Sequence, residues 1–288
     1  MKIAILGSGG REHALAMFVS KSSKVKQLYC IPGNAGTLDF ATNVDLDINK
    51  FDKLYEFVNE NKVDLVVVGP EQPLVNGIVD YLEKFNVKVF GPNKLAAQLE
   101  GSKIFTKRIC EEYNIPTAKF AILENKIDAK KFLENSKYPN VIKADNLAGG
   151  KGVYICNDEK ESLIAIEEIF NGKFGIAKNI LIEEFLEGEE MSYFVVSDGR
   201  TIKSFETAQD HKRVLEGDKG KNTGGMGAYS PSRLINNQLE EKILTKIIQP
   251  TLLALKNLGT NYTGFLYAGL MIVKGDPYLI EYNVRMGD

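Results

Sequence analysis

Short runs rich in β-branched residues at 2–6, 27–31, 64–69 and 87–90 alternate with stretches of helical spacing at 11–21, 50–61 and 74–85. Strands separated by helices return to the same sheet in parallel, with the helices covering both faces. The alternation therefore predicts a doubly wound α/β domain over the first hundred residues. Each of these strands runs into a glycine-bearing loop, at 7–10, 32–36, 69–71 and 91–92. Open α/β sheets take their ligands beyond the carboxyl ends of the strands, so the loops are expected to line one cleft.

From about Gly101 the rhythm changes. A helical stretch at 102–113 stops at Ile115-Pro116, where the proline biases the chain toward extended structure. A compact α+β pattern follows, with strands at 119–123, 141–144, 153–156 and 180–184 and helices at 129–134 and 159–170. The runs 191–197 and 201–207 read as a hairpin across Asp198-Gly199-Arg200. Residues 209–232 are polar and glycine-rich with almost no apolar run, and a loop of that length inside a compact unit is usually functional or disordered. A helix through 239–258 and two strands, 264–273 and 277–283, complete the pattern. Single cores rarely grow beyond roughly 250 residues. This chain of 288 residues with 44% hydrophobic content is therefore expected to form two or more domains, and the change of rhythm divides it into 1–101 and 102–288.

Charge and cysteine usage narrow the partners. Thirty-six basic side chains against 38 acidic ones leave a net charge of -2, which provides no global field for nucleic acid or an anionic membrane. No apolar run approaches the ~20 residues of a membrane span, and the opening residues do not read as a secretory signal. Cys30, Cys110 and Cys156 are odd in number and far apart, as ordinary cytosolic thiols would be. The expected location is cytoplasmic and the expected partners are small molecules. Oligomeric state is not legible.

Several segments carry candidate chemistry. Gly7-Ser8-Gly9-Gly10-Arg11-Glu12-His13 follows the first strand and opens a helix, which suits a phosphate at the helix N-terminus. It equally suits a tight turn that needs glycine for backbone geometry alone. A nicotinamide dinucleotide is disfavoured, because Glu12 stands where the fingerprint wants a third glycine and Ile31-Pro32-Gly33 replaces the acidic end of the second strand. The run 143–153 is a strand, a glycine-bearing turn and another strand. It can fix Lys143 at a strand end and close a flap with Lys151 and Gly152 over polyphosphate, or be a glycine hairpin with solvated lysines. In 183–190 acidic residues flank Phe185-Leu186, which reads as a solvated face or as an adenine pocket with a ribose-binding carboxylate. On the last strand, Glu281, Asn283 and Arg285 alternate with Ile280, Tyr282 and Val284. Alternation turns the polar three to one face, where two oxygen donors and a guanidinium suit a hard cation bridging phosphates; a half-buried polar edge strand fits the same pattern.

In this order, the segments resemble the ATP-grasp superfamily and, within it, the phosphoribosylamine-glycine ligase family. The resemblance is carried by Gly-Gly-Arg-Glu-His at 9–13, Pro-Gly-Asn-Ala-Gly at 32–36, Val-Gly-Pro-Glu at 68–71 and Gln-Leu-Glu-Gly-Ser-Lys at 98–103. Gln-Asp-His-Lys-Arg at 209–213, Asn-Thr-Gly-Gly-Met-Gly-Ala-Tyr-Ser-Pro at 222–231 and Tyr-Thr-Gly-Phe-Leu-Tyr-Ala-Gly-Leu-Met at 262–271 extend it over essentially the whole chain.

The resemblance implies an ATP-grasp α+β fold after the doubly wound domain, with a flap subdomain at about 118–187. It implies that Lys103 and Lys143 hold the α- and β-phosphates of ATP, with Lys151 and Gly152 in the flap. Glu183, Phe185 and Leu186 would line the adenine and Glu190 the ribose. Glu281 and Asn283 are similar to ligands of Mg2+ (or Mn2+), and Arg285 would sit by the γ-phosphate and the carboxylate of glycine. Phosphoribosylamine would be held by Gly9, Gly10, Arg11, Glu12, His13, Gly33, Asn34 and Glu71 from the first domain. Asp210, His211, Lys212, Arg213, Asn222, Thr223, Gly224 and Gly225 would complete its site. The implied reaction phosphorylates glycine with ATP and passes the glycyl group to the amine of 5-phosphoribosylamine, with Lys143 and Arg285 at the reacting phosphate. Rival readings are another ATP-grasp ligase, against which the 209–213 and 222–227 segments speak, and a non-catalytic nucleotide-binding fragment.

Departures from the family pattern qualify these expectations. Residues 264–273 contain no acidic residue, which argues against a full two-metal site. Gly149 stands where alanine is expected, loosening the flap. The family continues past Gly-Asp-Pro-Glu into a C-terminal domain, so the resemblance implies that part of the active-site wall lies beyond Asp288.

Overall fold

The computed structural model of the protein describes residues 1–147, 152–175, 177–211, 213–216, 219–223 and 225–287, with backbone alone at 213 and 219–222. Strands β1 (Lys2–Gly7), β2 (Gln27–Pro32), β3 (Thr42–Asn43), β4 (Leu65–Val68) and β5 (Val89–Phe90) form a parallel sheet in the order β3-β2-β1-β4-β5. Helices α1 (Gly10–Ser20), α2 (Phe51–Glu60), α3 (Glu71–Asn76) and α4 (Ile78–Glu83) connect them. The order reverses between β1 and β4, so the loops after these two strands stand side by side at the switch point. One helix was expected over 74–85. Gly77 breaks it at φ +93, a left-handed conformation that glycine adopts without strain, and α3 begins earlier with Pro73 in its first turn. The two-residue β3 lacks the apolar alternation that reveals longer strands.

Short α5 (Gln98–Gly101) and α6 (Lys103–Glu112) lead into an antiparallel sheet of order β6-β9-β7-β8. Its strands are β6 (Phe120–Leu123), β7 (Asn140–Ala144), β8 (Val153–Cys156) and β9 (Ile180–Glu184). Helices α7 (Lys126–Leu133) and α8 (Glu159–Phe170) cover one face, where Ala129, Leu133, Ile142, Ile166, Ile180 and Ile182 share a core. Asn125 and Asp158 cap α7 and α8 by accepting from the N–H groups of Asp128 and Glu161. The opposite face carries Lys143 and Glu183.

A second antiparallel sheet, β11-β10-β16-β17, is built from β10 (Glu189–Asp198), β11 (Ile202–Ser204), β16 (Thr263–Val273) and β17 (Asp276–Asn283). Met191, Tyr193, Val195, Leu266, Ala268, Leu270, Leu279 and Tyr282 enter a core continuous with Leu6 and Val66 of the first sheet and Leu74 of α3. The segment 209–232, expected to be an irregular loop, contains two small ladders. β12 (Gln209–Asp210) pairs with β15 (Ala228–Tyr229), and β13 (Arg213–Leu215) pairs with β14 (Lys219–Asn222). Backbone pairing without a buried face leaves no hydrophobic period to detect. The expected helix over 239–258 is α9 (Asn237–Ile243) and α10 (Gln249–Asn257) joined by a π-helical turn at Leu244–Ile248. Pro250 lacks the N–H that a regular helix needs there, and the wider turn accommodates its absence.

Candidate active site

Two polar sheet faces build the main site. Alternation sends Met191, Tyr193 and Val195 into the core, so Glu190, Ser192 and Phe194 share the other face of β10. Met271, Gly269 and Tyr267 stand opposite them on β16. The hydrogen bond from Ser192 Oγ to Tyr267 Oη (3.0 Å) and the Phe194–Tyr267 ring contact (4.9 Å) lie on this face. Glu281 pairs with Gly269 and Asn283 with Tyr267, which puts both oxygen donors beside them.

The register of β17 corrects the simple alternation drawn from the sequence. A bulge opposite the Gly269–Leu270 step leaves Ile280 as an extra residue, with Leu270 opposite Leu279 and Gly269 opposite Glu281. Leu279 rather than Ile280 therefore joins Tyr282 and Val284 in the core. The bulge permits Leu279 to be buried without turning Glu281 inward. The strand ends at Asn283, so Arg285 is not held on that face by alternation. Its guanidinium instead meets Glu100 at 3.3 Å and Glu71 at 3.5 Å, while Arg11 approaches Glu71 at 3.8 Å and donates to the Met286 carbonyl. Glu100 also accepts the Val284 N–H at 2.7 Å. Burial raises the Glu100 carboxyl to about 7, outweighing Arg285 and the Val284 N–H, which both act to lower it. This cluster joins the first-domain cleft to the end of β17.

The facing sheet and α6 supply cations. Ser102 caps α6 by accepting the Phe105 N–H, and Asp145, just past β7, accepts the Ile104 N–H and the Ser102 hydroxyl. A helix N-terminus and a strand end remote in sequence are thereby pinned together. Lys103 donates to the Asn146 carbonyl at 3.0 Å. Lys143 Nζ lies 3.0 Å from Glu183 Oε2, and Lys107 Nζ lies 3.3 Å from the same oxygen. Burial would raise the Glu183 carboxyl, but Lys143 and Lys107 together hold it below the usual carboxylate range. Burial lowers Lys103, against the opposing fields of Glu281, Asp145 and Glu183 and reinforced by Lys143. Groups from α6, β7, β9 and β17 thus occupy one electrostatic neighbourhood.

The acidic run 183–190 is divided by burial. Glu183 is buried, Glu184 is exposed and accepts the Lys119 N–H, and Phe185 and Leu186 are half-buried between β9 and β10. Glu189 pairs with Arg233, leaving Glu190 on the polar face. Lys151, Lys212 and Gly224 lie outside the described residues, as do the side chains of Arg213 and Asn222. Gly152 precedes β8, where its carbonyl accepts the Ala144 N–H. His211 is exposed near Tyr229, with backbone hydrogen bonds to Gly227 and Met226 that shape the loop holding Gly225. Asp210 ends β12, opposite Ala228, and Thr223 Oγ1 accepts the Gly225 N–H.

At the switch point of the first sheet, a cavity of about 360 Å³ is lined by Gly7, Gly9, Arg11, Glu12, Asp47 and Pro70, among others. Glu12 is buried and accepts the Gly9 N–H at 2.6 Å, so that donor is not free for a phosphate. A Cβ on Gly69 would fall 2.0 Å from Glu12 Oε1. The missing side chain therefore makes room for a carboxylate that braces the loop. Asn34 similarly braces it, donating to Ser8 O while accepting from the Gly36 and Thr37 N–H groups. Gly33, at φ +76, would bring a Cβ within 2.3 Å of Asn43 Oδ1. His13 is half-buried on α1 beside Phe40, and Gly10 opens that helix.

Lys107, Glu100 and Asp145 were not singled out in the sequence. The four-residue spacing of Lys107 from Lys103 on a predicted helix was the available signal, since it places both on one face. Glu100 lies in the 98–103 segment, but nothing local marks its carboxylate as the partner of Arg285.

Comparison with known proteins gives a consistent picture. The family model described as phosphoribosylglycinamide synthetase, N domain, matches residues 1–100, and that of the ATP-grasp (A) domain matches 101–288. The phosphoribosylamine–glycine ligase of Mesorhizobium japonicum is 49% identical over 289 residues, covering 100% of this chain and 68% of that enzyme. The crystal structure of phosphoribosylamine–glycine ligase from Thermotoga maritima superposes with a TM-score of 0.86 at 36% identity, over 100% of this chain and 70% of that one. The biotin carboxylase domain of the Hydrogenobacter thermophilus 2-oxoglutarate carboxylase, in complex with MgADP, ADP and bicarbonate, gives a TM-score of 0.76 at 19% identity, over 99% of this chain and 64% of that one. This last likeness concerns the fold alone.

Proposed function

The chain belongs to the phosphoribosylglycinamide synthetase family, and from that premise we propose how its own residues carry the reaction. The activity is that of an ATP-dependent carbon–nitrogen ligase of purine synthesis, joining glycine to 5-phosphoribosylamine with formation of ADP and phosphate. A carboxylate is a poor electrophile. One of its oxygens therefore attacks the γ-phosphorus of ATP, the bond to the β–γ bridging oxygen breaks, and ADP leaves. The amine of phosphoribosylamine then attacks the glycyl phosphate carbonyl, phosphate departs with the former carboxylate oxygen, and the nitrogen loses a proton.

The protein's part is positioning and charge neutralisation. Lys103 and Lys143 hold the polyphosphate, joined by Lys151 and Gly152. Glu183, Phe185 and Leu186 receive the adenine and Glu190 the ribose. Arg285, between Glu100 and Glu71, offers its guanidinium to the glycine carboxylate where the nucleotide site meets the first-domain cleft. Arg11, His13, Glu71, Asp210, His211 and Thr223 belong to the phosphoribosylamine side, with Glu12, Gly33 and Asn34 shaping its loops.

Use of ATP with a divalent cation is general to the superfamily; magnesium, with manganese as substitute, is the ion proposed here. Glu281 and Asn283 present hard oxygens on one sheet face, and the described residues hold no group of three or more His, Cys, Asp or Glu able to cage a metal alone. That donor set suits an ion completed by phosphate oxygens. Such an ion supplies charge neutralisation at the transferring phosphate. A cytoplasmic location fits the three buried free cysteines. Among the described residues no helix is long and apolar enough to cross a membrane.

One observation carries this assignment of roles: Lys103 donates to the Asn146 carbonyl and Asp145 accepts the Ile104 N–H, which fixes the start of α6 at the end of β7, beside the Lys143–Glu183 pair. The test is ADP release with glycine, phosphoribosylamine and ATP each omitted in turn. Full release requires all three. Release that is indifferent to phosphoribosylamine or glycine contradicts the assignment.

A further inference from the structure

Glu183 carries two ammonium groups, and Lys107 has no part in the roles above. Its Nζ lies 3.3 Å from Glu183 Oε2, donates to Thr117 Oγ1 at 2.6 Å and stands 5.4 Å from the centroid of the Phe120 ring. The Thr117 hydroxyl donates to the Leu279 carbonyl at 2.6 Å, which anchors this arrangement to β17. The Lys107 side chain is only 3% exposed, so its charge needs a counterion, and Glu183 supplies one. Lys143 is bound to the same oxygen at 3.0 Å.

This sharing has a consequence for nucleotide binding. Polyphosphate must draw Lys143 toward itself and away from Glu183. If Lys143 were the sole partner, its departure would leave a buried carboxylate unpaired, which is strongly unfavourable. With Lys107 in place, the carboxylate remains paired, and the three groups carry one net positive charge. We propose that Lys107 is a positioning residue for ATP, the standing counterion of Glu183 that releases Lys143 to the polyphosphate. Thr117 and Phe120 keep Lys107 itself off the nucleotide. The proposal rests on the reading that Lys143 faces the phosphates of ATP.

The test measures dissociation constants of ATP and of adenosine for the wild-type protein, Lys107→Met, Lys107→Arg and the double variant Lys107→Met/Glu183→Gln. Adenosine reports the base and ribose sites without the phosphates. Loss of a buried neighbouring charge predicts ATP weakened about tenfold or more in Lys107→Met, with adenosine changed by less than about threefold. Lys107→Arg, which keeps the charge, holds ATP within about threefold of wild type. The double variant removes one charge of each sign and restores most of the preference for ATP over adenosine. If Lys107→Met is insoluble, the double variant carries the test, and failure to retain that preference overturns the proposal. Unchanged ATP affinity in Lys107→Met, or equal loss of ATP and adenosine, overturns it as well. A wild-type protein that binds ATP no better than adenosine overturns the underlying phosphate reading itself.

Discussion

Replacing Glu183 is predicted to cost far more stability than replacing Lys143, although the two form one ion pair. Lys143 and Lys107 contact the same carboxylate oxygen at 3.0 and 3.3 Å, so their ammonium groups are at most about 6 Å apart. In Glu183→Gln both cations stay buried with no anion between them. At an effective dielectric near 20, their repulsion is about 3 kcal/mol. With the lost attraction partly offset by easier burial of the amide, the net cost is about 3–5 kcal/mol. Lys143→Met leaves the Lys107–Glu183 pair intact and fills the space of the lysine stem, so its cost is below about 1.5 kcal/mol.

The Glu183→Gln deficit also depends on pH. Burial already lowers Lys107, and removing the carboxylate that opposes this lowers it further. A lysine depressed in the folded state binds fewer protons there than in the unfolded chain, so stability rises with pH through that window. The deficit should therefore shrink between about pH 7 and pH 10. Urea denaturation of the wild type and both variants across this range, extrapolated linearly to water, measures it. Equal costs for the two substitutions, or a Glu183→Gln cost below about 1 kcal/mol at pH 7, would refute the shared-carboxylate account.

Further outcomes follow from other parts of the site. Glu281→Ala should abolish ADP production dependent on glycine and phosphoribosylamine while the unfolding midpoint stays within a few degrees; unchanged turnover removes Glu281 from the mechanism. Gly69→Ala places a Cβ 2.0 Å from Glu12 Oε1 and should displace the carboxylate from the Gly9 N–H, costing about 2–3 kcal/mol in denaturation, whereas wild-type stability would show that the brace is dispensable. Glu100, raised from 4.5 to about 7, holds a proton in the folded state that the unfolded chain releases, so its contribution to stability falls as pH climbs through that interval. Relative to Glu100→Gln, wild type should lose about 3 kcal/mol between roughly pH 4.5 and 7, and parallel stability curves would contradict the shift.

The legible parts of the fold were those in which a hydrophobic period recorded burial. The parallel strands β1, β2, β4 and β5, α8 at Glu159–Phe170 and the long pair β16 and β17 have runs of apolar residues that match their observed spans within a residue or two. The sequence was silent where backbone geometry decides without an apolar signature. Gly77 breaks a helix, Pro250 forces a π turn, and the bulge at Ile280 shifts the phase of β17. In the site, Lys143, Glu183, Glu281 and Asn283 could be proposed from motifs. The sharing of Glu183 by Lys107, and the capture of Arg285 by Glu100 and Glu71, arise from contacts between residues remote in the chain. Likewise Glu12, placed among the substrate residues by its motif, is buried against Gly7 and Gly69, because only the assembled switch point brings those glycines to it.

The fate of the glycine carboxylate oxygens tests the chemistry at its centre. With glycine carrying 18O in its carboxylate, a single turnover with ATP and phosphoribosylamine should transfer one labelled oxygen to the released phosphate, because that oxygen first attacks the γ-phosphorus. Phosphate free of the label, with the expelled carboxylate oxygen recovered in water instead, would contradict an acyl phosphate route.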